Sequence, residues 1–273
     1  MTRILHASDL HFGRPMVPLQ IDAIEALIQQ EQFDVVAISG DVSQRARAGE
    51  FQRAAVFLRD AGRVSEIIVV PGNHDVAWWN APMGLGDSAA LFADYRAFIH
   101  PDTEPVLDVP GVRLAGLNTS HGITHRTLTW NMRDLSVIGD VRRSQLLTLR
   151  TRLDAAPAGA AKVVVMHHNP VRGELSQRHG LKHTSKVLGA FAEMGVDMVL
   201  CGHDHQEAIH FVEHTKKGTV ISTAGTVSSR SRGGRPSSVN CIDITDDEIH
   251  IVTWIWEPTA RRFGPGPVKV FTR

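Results

Sequence analysis

The chain has 273 residues, 42% of them hydrophobic and 21% charged, with 29 Lys plus Arg set against 29 Asp plus Glu. A formal net charge of zero counts against a general nucleic-acid binder, which carries a basic excess, and no apolar run reaches the length of a membrane span. Two cysteines, Cys201 and Cys241, imply no disulfide framework, and an early break in the apolar run of residues 1–6 leaves no signal-peptide core, so the expectation is a cytoplasmic protein.

The predicted elements alternate through the first third. Residues 3–8 are a short apolar strand that runs into Asp9. Leu19, Ile21, Ile24, Leu27 and Ile28 share one face of a helix over 18–30. A buried-type strand over 34–39 ends in Gly40-Asp41, a helix covers 50–60, and a strand over 66–70 ends in Pro71-Gly72-Asn73-His74-Asp75. This β-α-β-α-β order predicts parallel strands with crossover helices. Residues 76–105, with Trp78, Trp79, Phe92, Tyr95 and Phe98, begin as a loop and become helical over 87–99. They read either as a lid or as a helix packed on the core. A strand over 112–117, an irregular polar stretch over 120–140 with His121 and His125, and a helix over 141–153 follow. A strand over 162–166 ends in His167-His168-Asn169-Pro170, and one over 197–200, after a helix at 183–194, ends in Cys201-Gly202-His203-Asp204-His205. Segments 207–212, 218–223, 238–244 and 248–256 read as antiparallel strands on short turns. The tail, 258–273, contains Pro265, Gly266 and Pro267 and reads as irregular. With no linker in view, 1–273 is read as a single domain.

Fifteen histidines are many for this length, and their placement is informative. Five strand ends carry metal-capable residues: Asp9-Leu10-His11, Gly40-Asp41, Gly72-Asn73-His74-Asp75, His167-His168 and Gly202-His203-Asp204-His205. Ligands of open α/β sheets bind beyond the carboxyl ends of the strands, so these clusters converge if the strands are parallel neighbours. In Asp-x-His and His-x-His, strand alternation puts residues i and i+2 on one side. Carboxylate, amide oxygen and imidazole together suit Mn, Fe or Zn. Seven or eight ligands exceed one tetrahedral ion and suit two ions sharing a carboxylate. Such a pair clamps the attacking and leaving oxygens of phosphoryl transfer. Each piece alone is weak, since Gly-Asp is more often a turn and a lone histidine more often filler. The ordered set carries the argument.

That set, Asp9-x-His11, Gly40-Asp41, Gly72-Asn73-His74-Asp75, His167 and Gly202-His203-x-His205, resembles the motif series of the calcineurin-like metallophosphoesterase superfamily. The runs 40–45, 71–75 and 166–170 most resemble the bacterial class III cyclic-nucleotide phosphodiesterase and glycerophosphodiesterase group. The resemblance implies two divalent or trivalent ions, the first held by Asp9, His11, Asp41 and His205 and the second by Asp41, Asn73, His167 and His203, with Asp41 bridging. It implies that His74 contacts phosphate and protonates the leaving oxygen, that Asp75 orients His74, and that a hydroxide between the ions attacks phosphorus. It also implies an α/β fold, a four-layer αββα sandwich of two mixed β-sheets flanked by helices, with the metal site at strand C-terminal ends. The first sheet is expected to be mostly parallel, and the later antiparallel strands to supply most of the second.

Weaker candidates surround this site. Arg230, Arg232 and Arg235 lie in a polar loop after a strand, where Arg suits oxyanions but a solvated loop is the plainer reading. Asn118 either hydrogen-bonds near the metals or caps a turn. Trp78 and Trp79 stack a base, contact a lipid or simply pack. His6, His100, His179, His183, His210, His214 and His250 have no ligand-like context. The expected partner is a small-molecule phosphodiester, of cyclic-nucleotide or glycerophosphodiester type, rather than nucleic acid. The oligomeric state stays open, a homo-oligomer included. Competing readings within the superfamily are a nucleotide-lipid pyrophosphatase of the UDP-diacylglucosamine type, a DNA repair nuclease and a non-catalytic scaffold. Retention of every ligand position and of His74 argues against the scaffold.

Overall fold

Alternation along β1 (Thr2–Ala7) sends Ile4 to one face and Leu5 and Ala7 to the other, and both faces are buried. A strand apolar on both sides needs cover on both sides, and this dictates the layers. The computed structural model describes all residues except 81–87, 123–136, 174–179 and 215–216. His125 and His179 therefore lie outside the described residues.

Among the described residues there are two six-stranded sheets. The first joins β1 to β2 (Val35–Ile38) and β3 (Glu66–Val69) in parallel, and to β10 (Ser238–Ile244), β11 (Glu248–Glu257) and β12 (Arg262–Thr272) in antiparallel sequence. The second contains β4 (Val106–Val109), β5 (Val112–Leu117), β6 (Ala161–His168), β7 (Met198–Gly202), β9 (Thr219–Thr223) and β8 (Ala208–Val212), in that spatial order. Its inner strands β5, β6, β7 and β9 are parallel.

Three apolar clusters hold the layers together. Leu5, Val36 and Ile38 pack with helices α1 (Pro18–Glu31), α2 (Ala48–Ala61) and α3 (Ala93–Phe98) through Ile24, Phe51 and Tyr95. Ile4, Val35 and Ile68 face Val163, Val165 and Leu200 between the sheets. Val164, Met166 and Val199 pack with α4 (Arg143–Asp154) and α5 (Thr184–Met194) through Leu153 and Phe191. Each fully buried Leu, Ile, Val or Phe contributes about 1.5–3 kcal/mol. The result is the expected order of helices, sheet, sheet, helices.

Three expectations need correction. Of the four later segments expected to supply most of the second sheet, two lie there as β8 and β9, whereas β10 and β11, together with β12, complete the first, because β10 pairs with β1 across the whole length of the chain. The first sheet is thus half antiparallel, and the second is the one with a parallel centre. The tail is not irregular: 262–272 forms β12, hairpinned on β11. Pro265 and Pro267 are tolerated because β12 is an edge strand, and the register shifts beside them. Finally, the helix expected over 87–99 is a 3-10 turn over Ser88–Phe92 followed by the short α3. Leu91, Phe92 and Tyr95 are buried in the first core cluster, so this part of 76–105 packs on the core, while Trp78 and Trp79 stay exposed. No helix of the described residues is long and apolar enough to cross a membrane.

Candidate metal centre

The five clusters do converge, but not as neighbours in one sheet. β1, β2 and β3 deliver Asp9, Asp41 and Asn73 from the first sheet, and β6 and β7 deliver His167 and His203 from the second. The site straddles the carboxyl ends of two facing sheets.

The side chains meet by an unexpected route. Asp9, His11, Asp41, His203 and His205 all have positive φ, at 56°, 48°, 51°, 73° and 55°. These residues lie past their strands, so left-handed turns, not strand alternation, aim each i and i+2 pair inward. A left-handed non-glycine residue costs on the order of 1–3 kcal/mol and persists only where its surroundings over-determine it. Close backbone approach does so here. A Cβ on Gly72 would collide with the Asp41 carboxylate, and one on Gly40 (φ 95°) with the His167 ring.

Two sets of donor atoms result. In the first, His205 Nε2 lies 3.1 Å from Asp9 Oδ1 and 3.2 Å from His11 Nε2, and His11 Nε2 lies 3.9 Å from Asp41 Oδ2. In the second, Asn73 Oδ1 lies 3.2 Å from His167 Nε2 and 3.0 Å from His203 Nδ1, and His167 Nε2 lies 3.4 Å from Asp41 Oδ1. The two Asp41 oxygens thus face different sets. The ligand atoms of Asp9, His11, Asp41 and His205 lie within 4.8 Å of one another, as do the nitrogens of His167, His168 and His203. Of the adjacent histidines, His167 faces Asp41, while His168 Nδ1 sits 2.7 Å from Thr119 Oγ1.

Backbone carbonyls orient the rings. His167 Nδ1 is 2.8 Å from Ser39 O and His205 Nδ1 is 2.9 Å from Arg230 O. Each contact places a proton on Nδ1 and leaves Nε2 facing inward. Burial pushes His11 down to about 3, and burial with the neighbouring His167 pushes His203 down to about 3, so both rings are neutral. Burial also opposes charge on His167, but Asp41 and Asp9 outweigh it and hold that ring up at about 9. Asp41 and Asp9 stay below the usual carboxylate range because His167 and His205, respectively, outweigh their burial. Two buried carboxylates therefore draw positive charge into the cluster. Asp9 Oδ1 is buried without a hydrogen-bond donor aimed at it among the described residues. Two carboxylates, an amide oxygen and neutral imidazoles fit a pair of borderline or hard cations.

His74 stands beside this cluster, its ring edge-on to His11 at 4.9 Å. Its Nδ1 is 2.8 Å from Gln44 O, and Arg230 Nη1 reaches its Nε2 at 3.0 Å. Asp75 was expected to orient this ring and does not touch it. Its buried carboxylate accepts hydrogen bonds from the Val42, Ser43 and Gly72 N–H groups and from Ser43 Oγ, at 2.7–3.1 Å. Gln44 takes the orienting role, and Asp75 ties the Asp41 loop to the Asn73 loop. An amide there presents N–H groups to some of these donors. Asp75→Asn is therefore expected to lower the free energy of unfolding of the metal-free protein by about 1–3 kcal/mol, measured by urea titration. An unchanged midpoint would contradict this role.

The other candidates separate. Arg230 lines a cavity of about 690 Å³ with Asn73 and His74, walled by Gln44, Arg45 and Arg47 and by Val76, Trp78, Trp79 and Val137. Arg232 is exposed and pairs with Asp204 at 3.5 Å. Asn118 is buried, its side-chain oxygen accepting from the Ser120 N–H. Neither lines the cavity that Arg230 lines. Gln44, Arg45 and Arg47 were missed as site residues. Their signal was position: a run of polar and basic residues directly after Gly40-Asp41, before the next helix.

The family model described as calcineurin-like phosphoesterase matches residues 2–207. No curated protein matches the chain. Among solved structures, purple acid phosphatase PPD1 from yellow lupin (Lupinus luteus) seeds is similar with a TM-score of 0.72 at 10% identity, covering 100% of this chain and 54% of that one. GAP50, the anchor in the inner membrane complex of Plasmodium, is similar with a TM-score of 0.54 at 13% identity, covering 93% of this chain and 84% of that one. The chain spans about half the length of the lupin phosphatase. At such identities the likeness is one of fold.

Proposed function

The chain belongs to the calcineurin-like phosphoesterase family, and from that premise we propose that it is a two-metal phosphodiesterase acting on small-molecule diesters of cyclic-nucleotide or glycerophosphodiester type. The family fold also serves an anchor protein, so fold does not decide between enzyme and scaffold. The observation that carries the reading is the division of Asp41 between two complete donor sets. Asp9, His11, Asp41 and His205 would hold one ion, and Asp41, Asn73, His167 and His203 the other. Bound there, Mn, Fe or Zn would acidify water and neutralise charge on the phosphoryl oxygens.

The chain's own groups supply the rest. Ser39 and Arg230 carbonyls keep His167 and His205 in the tautomer that offers Nε2. The Gln44 carbonyl takes the Nδ1–H of His74, so the ring presents Nε2 to the cavity. In this arrangement Nε2 accepts from Arg230 Nη1; with Arg230 turned onto a phosphoryl oxygen, a proton on Nε2 would be placed for transfer to the departing alkoxide. Arg230 Nη1, beside the same nitrogen, would bind a phosphoryl oxygen through a charge-assisted hydrogen bond. Two buried free thiols fit work in a reducing, cytoplasmic compartment.

The test is hydrolysis of bis(p-nitrophenyl) phosphate, p-nitrophenyl phosphate, a 3′,5′-cyclic nucleotide and a glycerophosphodiester by protein loaded with Mn, Fe or Zn. The expected result is metal-dependent turnover with kcat/KM higher for diesters than for the monoester. A monoester preference would overturn the diesterase assignment, and no turnover with any metal would favour a scaffold.

A further inference from the structure

Resting on the two-metal diesterase reading, though not on its cyclic-nucleotide or glycerophosphodiester types, the cavity beside the ligand cluster points to a further kind of diester. Its volume of about 690 Å³ lies within the range of ~300–1,000 Å³ of pockets that enclose whole small molecules. A phosphoryl group held at His74 and Arg230 leaves most of that space to the remainder of the substrate.

The rest of the wall has a definite chemistry. Arg45 and Arg47 line the cavity and are exposed, and among the described residues neither guanidinium has an ion-pair partner. The nearby acid forms no ion pair with either: Glu50 Oε2 accepts the backbone N–H groups of Gln44 and Arg45 at 3.2 and 2.7 Å. This excess is local, since the chain as a whole is neutral. Trp78 and Trp79 line the same cavity with 40% and 49% of their surface exposed, their rings edge-to-face at 5.9 Å. Guanidinium matches phosphate geometry, and an open indole face stacks a planar base.

We propose that this cavity binds a nucleotide diester carrying a second phosphoryl group, with Arg45 and Arg47 holding that group and Trp78 or Trp79 stacking on the base. The scissile phosphoryl group then lies at the metal cluster, His74 and Arg230.

The experiment compares kcat/KM of the Mn-loaded enzyme for four substrates. Bis(p-nitrophenyl) phosphate has one phosphoryl group and no base. Thymidine 5′-(p-nitrophenyl phosphate) adds the base, its 3′-phosphorylated form adds a separate second phosphate, and diadenosine pyrophosphate carries the second phosphate in the linkage. We expect at least one two-phosphate substrate to exceed the thymidine ester by ~10-fold or more, and R45A/R47A to cut that ratio by about tenfold. R45K/R47K should restore part of it, and W78A/W79A should cut the advantage of the thymidine ester over bis(p-nitrophenyl) phosphate. A gain confined to the 3′-phosphate or to the pyrophosphate supports the subsite and identifies the source of the second group. Two-phosphate substrates no better than the thymidine ester, or a ratio unchanged in R45A/R47A, would overturn the subsite while turnover of bis(p-nitrophenyl) phosphate kept the diesterase reading. No hydrolysis of any of the four would overturn both.

Discussion

Asp41→Ala should leave the protein with neither ion at full occupancy. Each donor set loses an anionic oxygen, because Asp41 Oδ1 faces His167 and Oδ2 faces His11. Elemental analysis after desalting should fall from two metals per chain to fewer than one. Turnover of bis(p-nitrophenyl) phosphate should drop by at least ~10²–10³-fold, the scale of losing one element of charge stabilisation at a reacting phosphoryl group. Asp41→Asn is the milder probe. Its amide oxygen can still accept the His74 N–H that Asp41 Oδ1 now accepts at 2.8 Å, so the fold is kept while one anionic contact is lost. Retention of two metals by Asp41→Ala would remove the bridging role.

His74→Ala should behave in the opposite way, keeping both metals and losing turnover selectively. His74 belongs to neither donor set, and its Nε2 faces the cavity beside Arg230. General acid catalysis is worth roughly 10²–10⁴-fold. That loss should appear for diesters with alkoxide leaving groups such as glycerol. For p-nitrophenolate, which leaves without a proton, it should shrink to about tenfold or less. A loss independent of the leaving group would assign His74 to phosphoryl binding, and full activity on both would remove it from the reaction.

The candidate donor set that the structure brings together was legible because it depends on local facts: apolar strands, their ends, and residue types with metal-binding atoms. His167 could be preferred to His168 only through the family pattern, and the structure gives the physical counterpart. His167 is held by Ser39 O toward Asp41, whereas His168 is turned to Thr119. What the sequence concealed was non-local or conformational. Nothing local tells residues 238–244 to pair with residues 2–6, so β10 and the β11 that pairs with it were assigned to the wrong sheet. Prolines 265 and 267 read as breakers because edge position is a property of the sheet. The left-handed turns at Asp9, His11, Asp41, His203 and His205 leave no trace in hydrophobic periodicity. Asp75 misled for a related reason: adjacency to His74 suggested a contact, but the 3-10 turn over Asn73–Asp75 sends the carboxylate back to Val42, Ser43 and Gly72. Arg232 and Asn118 were chosen by residue type after a strand, which does not show which side chains reach a cavity.

The central claim is that one carboxylate joins two cation sites at the meeting of two sheets. Anomalous diffraction from crystals grown with Mn tests it most directly. The account predicts two peaks, one among Asp9, His11, Asp41 and His205 and the other among Asp41, Asn73, His167 and His203, with an Asp41 oxygen on each ion. A single peak, or a second peak ligated by His168 and not reached by Asp41, would contradict it.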